Sequence, residues 1–342
     1  MIETRNCPRG DPDYAEFARR HAAATLYHRP EWLAAVEDAF GMTCYRLLAT
    51  RDGETVGMLP LGHVKSRLFG NFLISAPFAN FGGIAASTPD AYQPLLDEAR
   101  RLAGSLGCRW IELRHVDPIP LDLETHTRKV IQVLPLKNDA TAMWEALPSK
   151  IRNHVRKAEK SDIKCVWRGR EGLPAFYDMF ARRMRDLGTP VYTRRFFERL
   201  GEQLGEAWRY VTVHKDGALI GAMALHTFRD VVECPYSATI GQYNRFGAGN
   251  LMYWTAIKDA CERRMAWFDF GTSQRGTGVY KFKEQWGAQE RVLHRQFWLA
   301  PGQEMPHLNP DNPSYAAKIR TWQKLPVWLT KLIGPPLARK LP

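Results

Sequence analysis

Asp269, Arg275, Tyr280, Phe282 and Lys283 fall within one short stretch, WFDFGTSQRGTGVYKFKEQWG over residues 267–287, where glycines recur at 271, 276, 278 and 287. The apolar residues around Asp269 read as a strand from Trp267 to Phe270. An acid carried on such a strand is desolvated, which raises its pKa toward the range useful to a general base; ordering nearby loop N–H groups is an equal use for it. Beyond the strand, the glycines allow positive φ and close approach of a ligand to the backbone. On this expected loop the Lys283 ammonium can meet negative charge developing on a carbonyl oxygen, and Arg275 can clamp a phosphate. Tyr280 and Phe282 offer stacking surfaces. A solvated lysine and a surface arginine are the plain alternatives.

Three further groups of residues add to this chemistry. Asn244 to Gly249 reads NRFGAG ahead of an expected helix. A glycine turn there, through Gly247 and Gly249, aims free N–H groups and the positive end of a helix dipole at an anion. KIRNHVRKAEK at 150–160 is an expected helix with a narrow apolar edge of Ile151, Val155 and Ala158; Arg152, Arg156 and Lys160 line one flank of it. Such a charge run is either a solvated face or a site for RNA or another polyanion. Tyr192, in a GTPVY turn, and Tyr236, in VVECPYSA, are acceptor-side candidates or core tyrosines.

The elements that must position these residues show a repeated plan. DGETVGMLPL at 52–61 aligns without a gap to DGALIGAMAL at 216–225, each a hairpin signal between strand-like runs. In each half a further strand and an apolar-striped helix follow, and a tryptophan-led strand closes the unit: Trp110-Ile111-Glu112-Leu113 and Trp267-Phe268-Asp269-Phe270. An offset of about 160 residues between the copies points to an internal duplication.

Composition excludes several classes. The chain of 342 residues is 45% hydrophobic and has no apolar run of membrane-spanning length. Its charged start, with Glu3, Arg5, Arg9 and Asp11, is unlike a signal peptide. Six scattered cysteines and ten histidines show no metal-ligand spacing, and reduced thiols in a cytoplasmic protein are expected. The net charge of +12 sits in two places, residues 150–170 and the acid-free stretch 312–342. The latter repeats Tyr315, Ile319, Trp322, Leu325, Trp328 and Leu332 among lysines and arginines. It is expected either to meet an anionic membrane face or a partner, or to pack back on the first domain.

NRFGAG is close to the [QR]xxGx[GA] pyrophosphate loop of GNAT acyltransferases, with Asn244 where Gln or Arg is usual. GVYKFKEQWG at 278–287 resembles the GxYxFKxxFG signature of the FemA/FemB/FemX family of twin-GNAT aminoacyltransferases. KIRNHVRKAEK resembles that family's basic helix. Asp269-Phe270-Gly271, GTPVY and the basic tail resemble a FemAB-related branch associated with exosortase/PEP-CTERM exopolysaccharide systems.

The resemblance implies an α/β (α+β) fold of two tandem GNAT-like domains with central mixed, mostly antiparallel sheets: 1–148, then 149–300 with the active site, then a tail over 301–342. It implies transfer of an acyl or aminoacyl group to an amine of an envelope or exopolysaccharide precursor, by a protein at most peripheral to the inner membrane face. Lys283 and Asp269 would be catalytic. Phe282 and Lys283 would contact the aminoacyl ester and the end of the tRNA. Tyr280, Arg275, Asn244, Gly247, Gly249, Arg152 and Arg156 would serve the donor, aminoacyl-tRNA or acyl-CoA, and Tyr192 and Tyr236 the acceptor. No metal or permanently bound cofactor is expected. Two alternatives stand beside this: an acyl-CoA-dependent GNAT N-acetyltransferase, and a non-catalytic scaffold at the membrane surface.

Overall fold

The computed structural model describes residues 1–66, 70–306 and 313–341. The first part of the chain forms strands β1 (Ile2–Asn6), β2 (Thr43–Arg51), β3 (Glu54–Ser66), β4 (Gly70–Ser75), β5 (Ala85–Ala86), β6 (Trp110–His115) and β7 (Glu124–His126), with helices α1 (Pro12–Arg20), α2 (Pro30–Phe40) and α3 (Tyr92–Ser105). The middle runs β8 (Lys129–Pro135), α4 (Ala140–Ala146), α5 (Ser149–Lys160), β9 (Ile163–Arg168), α6 (Leu173–Asp186), α7 (Arg194–Leu204), β10 (Trp208–Lys215), β11 (Ala218–Phe228), β12 (Val231–Thr239), α8 (Ala248–Glu262), β13 (Trp267–Gln274), α9 (Gly278–Glu284) and β14 (Gln289–Val292). After β15 (His294–Leu299), the tail forms α10 (Pro313–Gln323) and α11 (Val327–Ala338).

These strands make two mixed sheets. One has the order β1-β2-β3-β4-β6-β15-β7, with β5 beside β3; the other, β9-β10-β11-β12-β13-β8-β14. The two orders correspond strand for strand. The hairpins β2–β3 and β10–β11 turn at Asp52-Gly53 (φ 51° and 83°) and Asp216-Gly217 (φ 50° and 76°). Positive φ at both central residues is the geometry that matches strand twist, and Asp-Gly supplies it at little cost. In each sheet one central pair is parallel and short. Phe72, Leu73 and Ile74 of β4 face Trp110, Ile111 and Glu112 of β6, and Val231, Val232 and Glu233 of β12 face Trp267, Phe268 and Asp269 of β13. The two tryptophans and the two acids occupy the same register in both copies, as a duplication requires.

Each sheet buries one striped helix. Leu95, Leu96, Ala99 and Ala103 of α3 pack with Leu47, Leu59, Leu73 and Ile111. Met252, Ala256, Ile257 and Ala260 of α8 pack with Val211, Met223, Phe268 and Phe270. The 3.6 spacing of the helix stripes and the alternation of the strands make these faces meet.

The chain divides into compact units Met1–Arg128 with Val292–Asn312 and Pro335–Pro342, and Lys129–Arg291 with Pro313–Gly334. These differ from the expected spans by one strand at each crossing. β8, counted with residues 1–148, hydrogen-bonds to β13 in the second sheet. β15, counted with residues 149–300, lies between β6 and β7 in the first. Both are second strands of a hairpin-length pair, and periodicity gives no sign of which sheet such a strand joins. A fragment of residues 1–148 therefore lacks the strand that separates β6 from β7. It is expected to show no cooperative thermal transition by circular dichroism while the intact chain does; a sharp transition from the fragment would show that the first sheet closes without β15.

Candidate active site at the parting of two parallel strands

After Glu233 and Asp269 the pairing of β12 with β13 stops, although both strands continue. A backbone change at β13 accompanies the parting. Gly271 has φ +74°, and a Cβ there would stand 3.1 Å from the carbonyl oxygen of Cys234 on β12. Its N–H donates to Asp269 Oδ1 at 2.7 Å. Beyond it lies α9, where the sequence reading expected a flexible loop. Thr277 caps that helix, its hydroxyl accepting from the N–H of Tyr280 at 3.3 Å.

The aromatic residues of α9 hold the lysine in place. Trp286 is buried, and its ring centroid lies 5.9 Å from Phe270 and 6.2 Å from Tyr253 of α8. Phe282, one turn earlier, sits 5.4 Å from Tyr253. This turns Lys283 under the strand, where it is 4% exposed. Its Nζ donates to the carbonyls of Gly271 and Thr272, both at 2.8 Å. An ammonium has three N–H donors, so two carbonyls leave one for a ligand. Burial lowers the Lys283 pKa to about 8, against the favourable pull of Asp269. The solvated-loop reading of Lys283 fails on this burial. Phe282 is half-buried and packs against the core beside Tyr253.

Asp269 is 3% exposed, and burial first, then the Glu233 carboxylate, push its pKa well above the carboxylate range. Glu233 itself meets His226 Nε2 at 3.2 Å, and that imidazole stacks on Trp208 at 6.0 Å. Strand alternation sorts these groups. Val232, Cys234, Phe268 and Phe270 face α8, so Glu233 and Asp269 point to the opposite face. There Tyr236 meets Tyr192 edge-on at 6.1 Å, within a cluster completed by Phe180 and Phe197 at 5.2 and 5.5 Å. Burial raises the Tyr236 pKa far above that of a free phenol. The acceptor-side candidates are thus brought together on the carboxylate face.

The expected donor loop lies on the α8 face. Asn244 closes a short turn, its Oδ1 accepting from Thr239 Oγ1 at 2.9 Å. Gly247 caps α8 at φ +83°, and a Cβ there would stand 2.3 Å from the carbonyl oxygen of His154 on α5. Gly249 has room, with Phe282 Cζ 4.0 Å from its would-be Cβ. No side chain caps the first turn of α8. On α5, Arg156 is exposed over the Trp144 ring at 5.4 Å and Arg152 is half-buried. Arg275 is engaged elsewhere: its Nε donates to Glu290 at 3.0 Å, and Tyr280 bonds the same carboxylate. The sequence reading missed Glu233, His226 and Tyr253. Glu233 had a visible signal, an acid inside the apolar run VVEC, like Asp269 in WFDF.

The first sheet offers a contrast. Glu112 holds the register of Asp269 but accepts from Arg114 Nε at 2.9 Å and faces Arg295 at 3.4 Å. Two guanidiniums flank that carboxylate. Asp269 accepts instead from the Gly271 N–H, and the Arg291 and Lys283 cations only partly offset its burial and the Glu233 charge.

Because the folded state keeps a proton on Asp269 that the unfolded chain releases near pH 4, stability falls as pH rises from about 4 through neutrality. Urea midpoints of the wild-type protein should decline over that window, and Asp269→Asn should flatten the decline. An unchanged slope in the variant would place the titration elsewhere.

Comparison with known proteins bears on the fold. Residues 148–284 match the family described as an acetyltransferase (GNAT) domain. Among solved structures the chain is similar to FemX (15% identity, 86% of this chain and 96% of that one, TM-score 0.67). It is similar also to a tandem GNAT protein from the clavulanic acid biosynthesis pathway (13%, 88% and 98%, 0.56) and to L-PGS from Bacillus licheniformis (12%, 89% and 96%, 0.53). No curated protein sequence matches. Residues 148–284 are thus similar to a GNAT acetyltransferase domain, within a fold like that of tandem GNAT proteins.

Proposed function

We propose that the protein transfers an aminoacyl group from an RNA-borne ester to an amine of a cell-envelope or exopolysaccharide precursor. The observation that carries this reading is the Lys283 ammonium, held on two backbone carbonyls where β12 and β13 part, beside the buried Asp269 carboxyl. Aminolysis of an ester or thioester needs two things from a site: a donor for the oxygen that gains charge, and a base for the proton the amine loses. The third N–H of Lys283 supplies the first. Asp269 supplies the second in its ionised form, with Glu233 and His226 beside it to share the proton. The aromatic cluster of Tyr192 and Tyr236 on the same face would receive the acceptor.

The choice of an RNA-borne donor rests on α5. Its exposed Lys150, Arg156, Lys157 and Lys160 run beside the start of α8, close enough that a side chain at Gly247 would collide with the carbonyl of His154. FemX and a lysylphosphatidylglycerol-type synthetase among the similar folds support an envelope setting. A second reading, an acyl-CoA donor, is favoured by the uncapped first turn of α8, which suits a pyrophosphate.

The test is direct binding. Bulk aminoacyl-tRNA should shift the protein on a native gel, with affinity falling steeply as salt rises, and Arg152→Glu/Arg156→Glu/Lys160→Glu should abolish the shift. If acetyl-CoA raises the melting temperature, tRNA does not bind, and Gly249→Asp removes the effect, the donor is acyl-CoA. Gly249 is the position to change, because any side chain at Gly247 collides with α5 whatever the ligand.

With the donor so identified, Lys283→Ala should lower kcat on the order of 100-fold with little change in donor affinity. Equal loss of donor binding and rate would make Lys283 a binding residue, and an unchanged rate would remove it from the chemistry.

A further inference from the structure

The tail carries a helix that is inside out for a water-soluble protein. In α11 the side chains that point inward are small or polar: Thr330 and Ala338 are each 1% exposed, and Gly334 lies against Val191, which would stand 3.0 Å from its Cβ. Four of the large apolar side chains point outward, while Val327 and Leu329 are half-buried. Trp328 and Leu332 are each 68% exposed, Leu337 45% and Ile333 36%. At about 100° per residue these four, with the exposed Pro336, occupy one half of the helix circumference. A surface helix of a globular domain shows the reverse arrangement.

The helix is held in that orientation. Arg185 Nη1 donates to the carbonyl of Leu325 at 3.2 Å, and Gln323 Nε2 to that of Asp186 at 2.9 Å. Lys331 pairs with Asp178. Ile319 of α10 sits against Gly188, at 2.4 Å from where a Cβ would be. The tail is therefore strapped to α6 and the turn after it, and the outward face of α11 is what remains. The expected packing back of Trp322 and Trp328 on the first domain is not what these contacts show: they run to α6 of the second unit, and Trp322 is half-buried while Trp328 stands out.

The charge carried by the tail itself is of one sign. Lys324, Arg339 and Lys340 are exposed at the ends of that face, and residues 313–341 contain no acid. We infer that α11 docks the protein on an anionic lipid surface, with Trp328, Leu332, Ile333 and Leu337 in the interfacial layer and the basic residues at the headgroups. An apolar face alone would suit a second copy of the chain or another protein as well. An all-basic rim repels a second copy of itself and matches the negative potential of an anionic leaflet. On the proposed reading of the active site, this also brings α11 beside the turn that bears Tyr192, since Gly334 lies against Val191. The docking itself is independent of that reading, since none of its residues lies on β12, β13 or α9.

The experiment is co-sedimentation of the full-length protein with vesicles of phosphatidylcholine alone or mixed with phosphatidylglycerol. The wild-type protein should pellet with the mixed vesicles at low salt and be released as salt rises. Trp328→Glu/Leu332→Glu should stay in the supernatant with an unchanged melting temperature, because both side chains are already two-thirds exposed. Lys324→Glu/Arg339→Glu/Lys340→Glu should lose the preference for phosphatidylglycerol. The inference is overturned if the wild-type protein pellets with neither vesicle or if the Trp328/Leu332 variant pellets as well as the wild type. It is overturned equally if light scattering shows a wild-type dimer that this variant breaks and lipid does not bind; the face is then an interface between copies.

Discussion

The site depends on a lysine that has nowhere to go. An ammonium removed from water costs several kcal/mol unless its protons are taken up, and at Lys283 the carbonyls of Gly271 and Thr272 take two of them. Those carbonyls are available because β13 has stopped pairing with β12, and β13 turns there because Gly271 adopts a φ that a side chain would strain. Phe282 and Trp286 hold α9 against Tyr253 and Phe270, so the lysine cannot swing out. Glycine, lysine and the two aromatic rings thus form one mechanical unit.

The two copies of the fold show how little separates a structural acid from a reactive one. Glu112 and Asp269 close the same three-residue parallel ladder. In the first copy Arg114 and Arg295 flank the acid. In the second, burial and the Glu233 carboxylate oppose ionisation of Asp269, and the Lys283 and Arg291 cations only partly offset them. Different neighbours at an identical backbone position thus give the two acids different electrostatic surroundings.

Much of this was legible in the residues. The Asp-Gly hairpins, the tryptophan-led strands and the helix stripes are local, and local patterns carry their own geometry. Lys283 and Asp269 were legible because their types and spacing are unusual. Three things were not. The stretch after Gly271 reads as a loop from its glycines, but Thr277 caps it into a helix. Phe282 looks like a free stacking surface until Tyr253, distant in sequence, is placed beside it. Arg275 looks like a phosphate ligand until Glu290 on β14 meets it. In each case the deciding partner lies on another element, and single-residue chemistry carries no record of it.

The sheet orders carry a consequence for how the two copies came to be joined. In each copy the strand after the short β7 or β14 completes the other copy's sheet: β8 lies beside β13, and β15 beside β6. Such reciprocal donation is the hallmark of a domain-swapped dimer, in which each subunit lends an element to its mate. Written into a single polypeptide, it makes the exchange permanent and free of any dependence on concentration. Neither copy can then drift away as an independent module, because each would carry off a strand that the other needs.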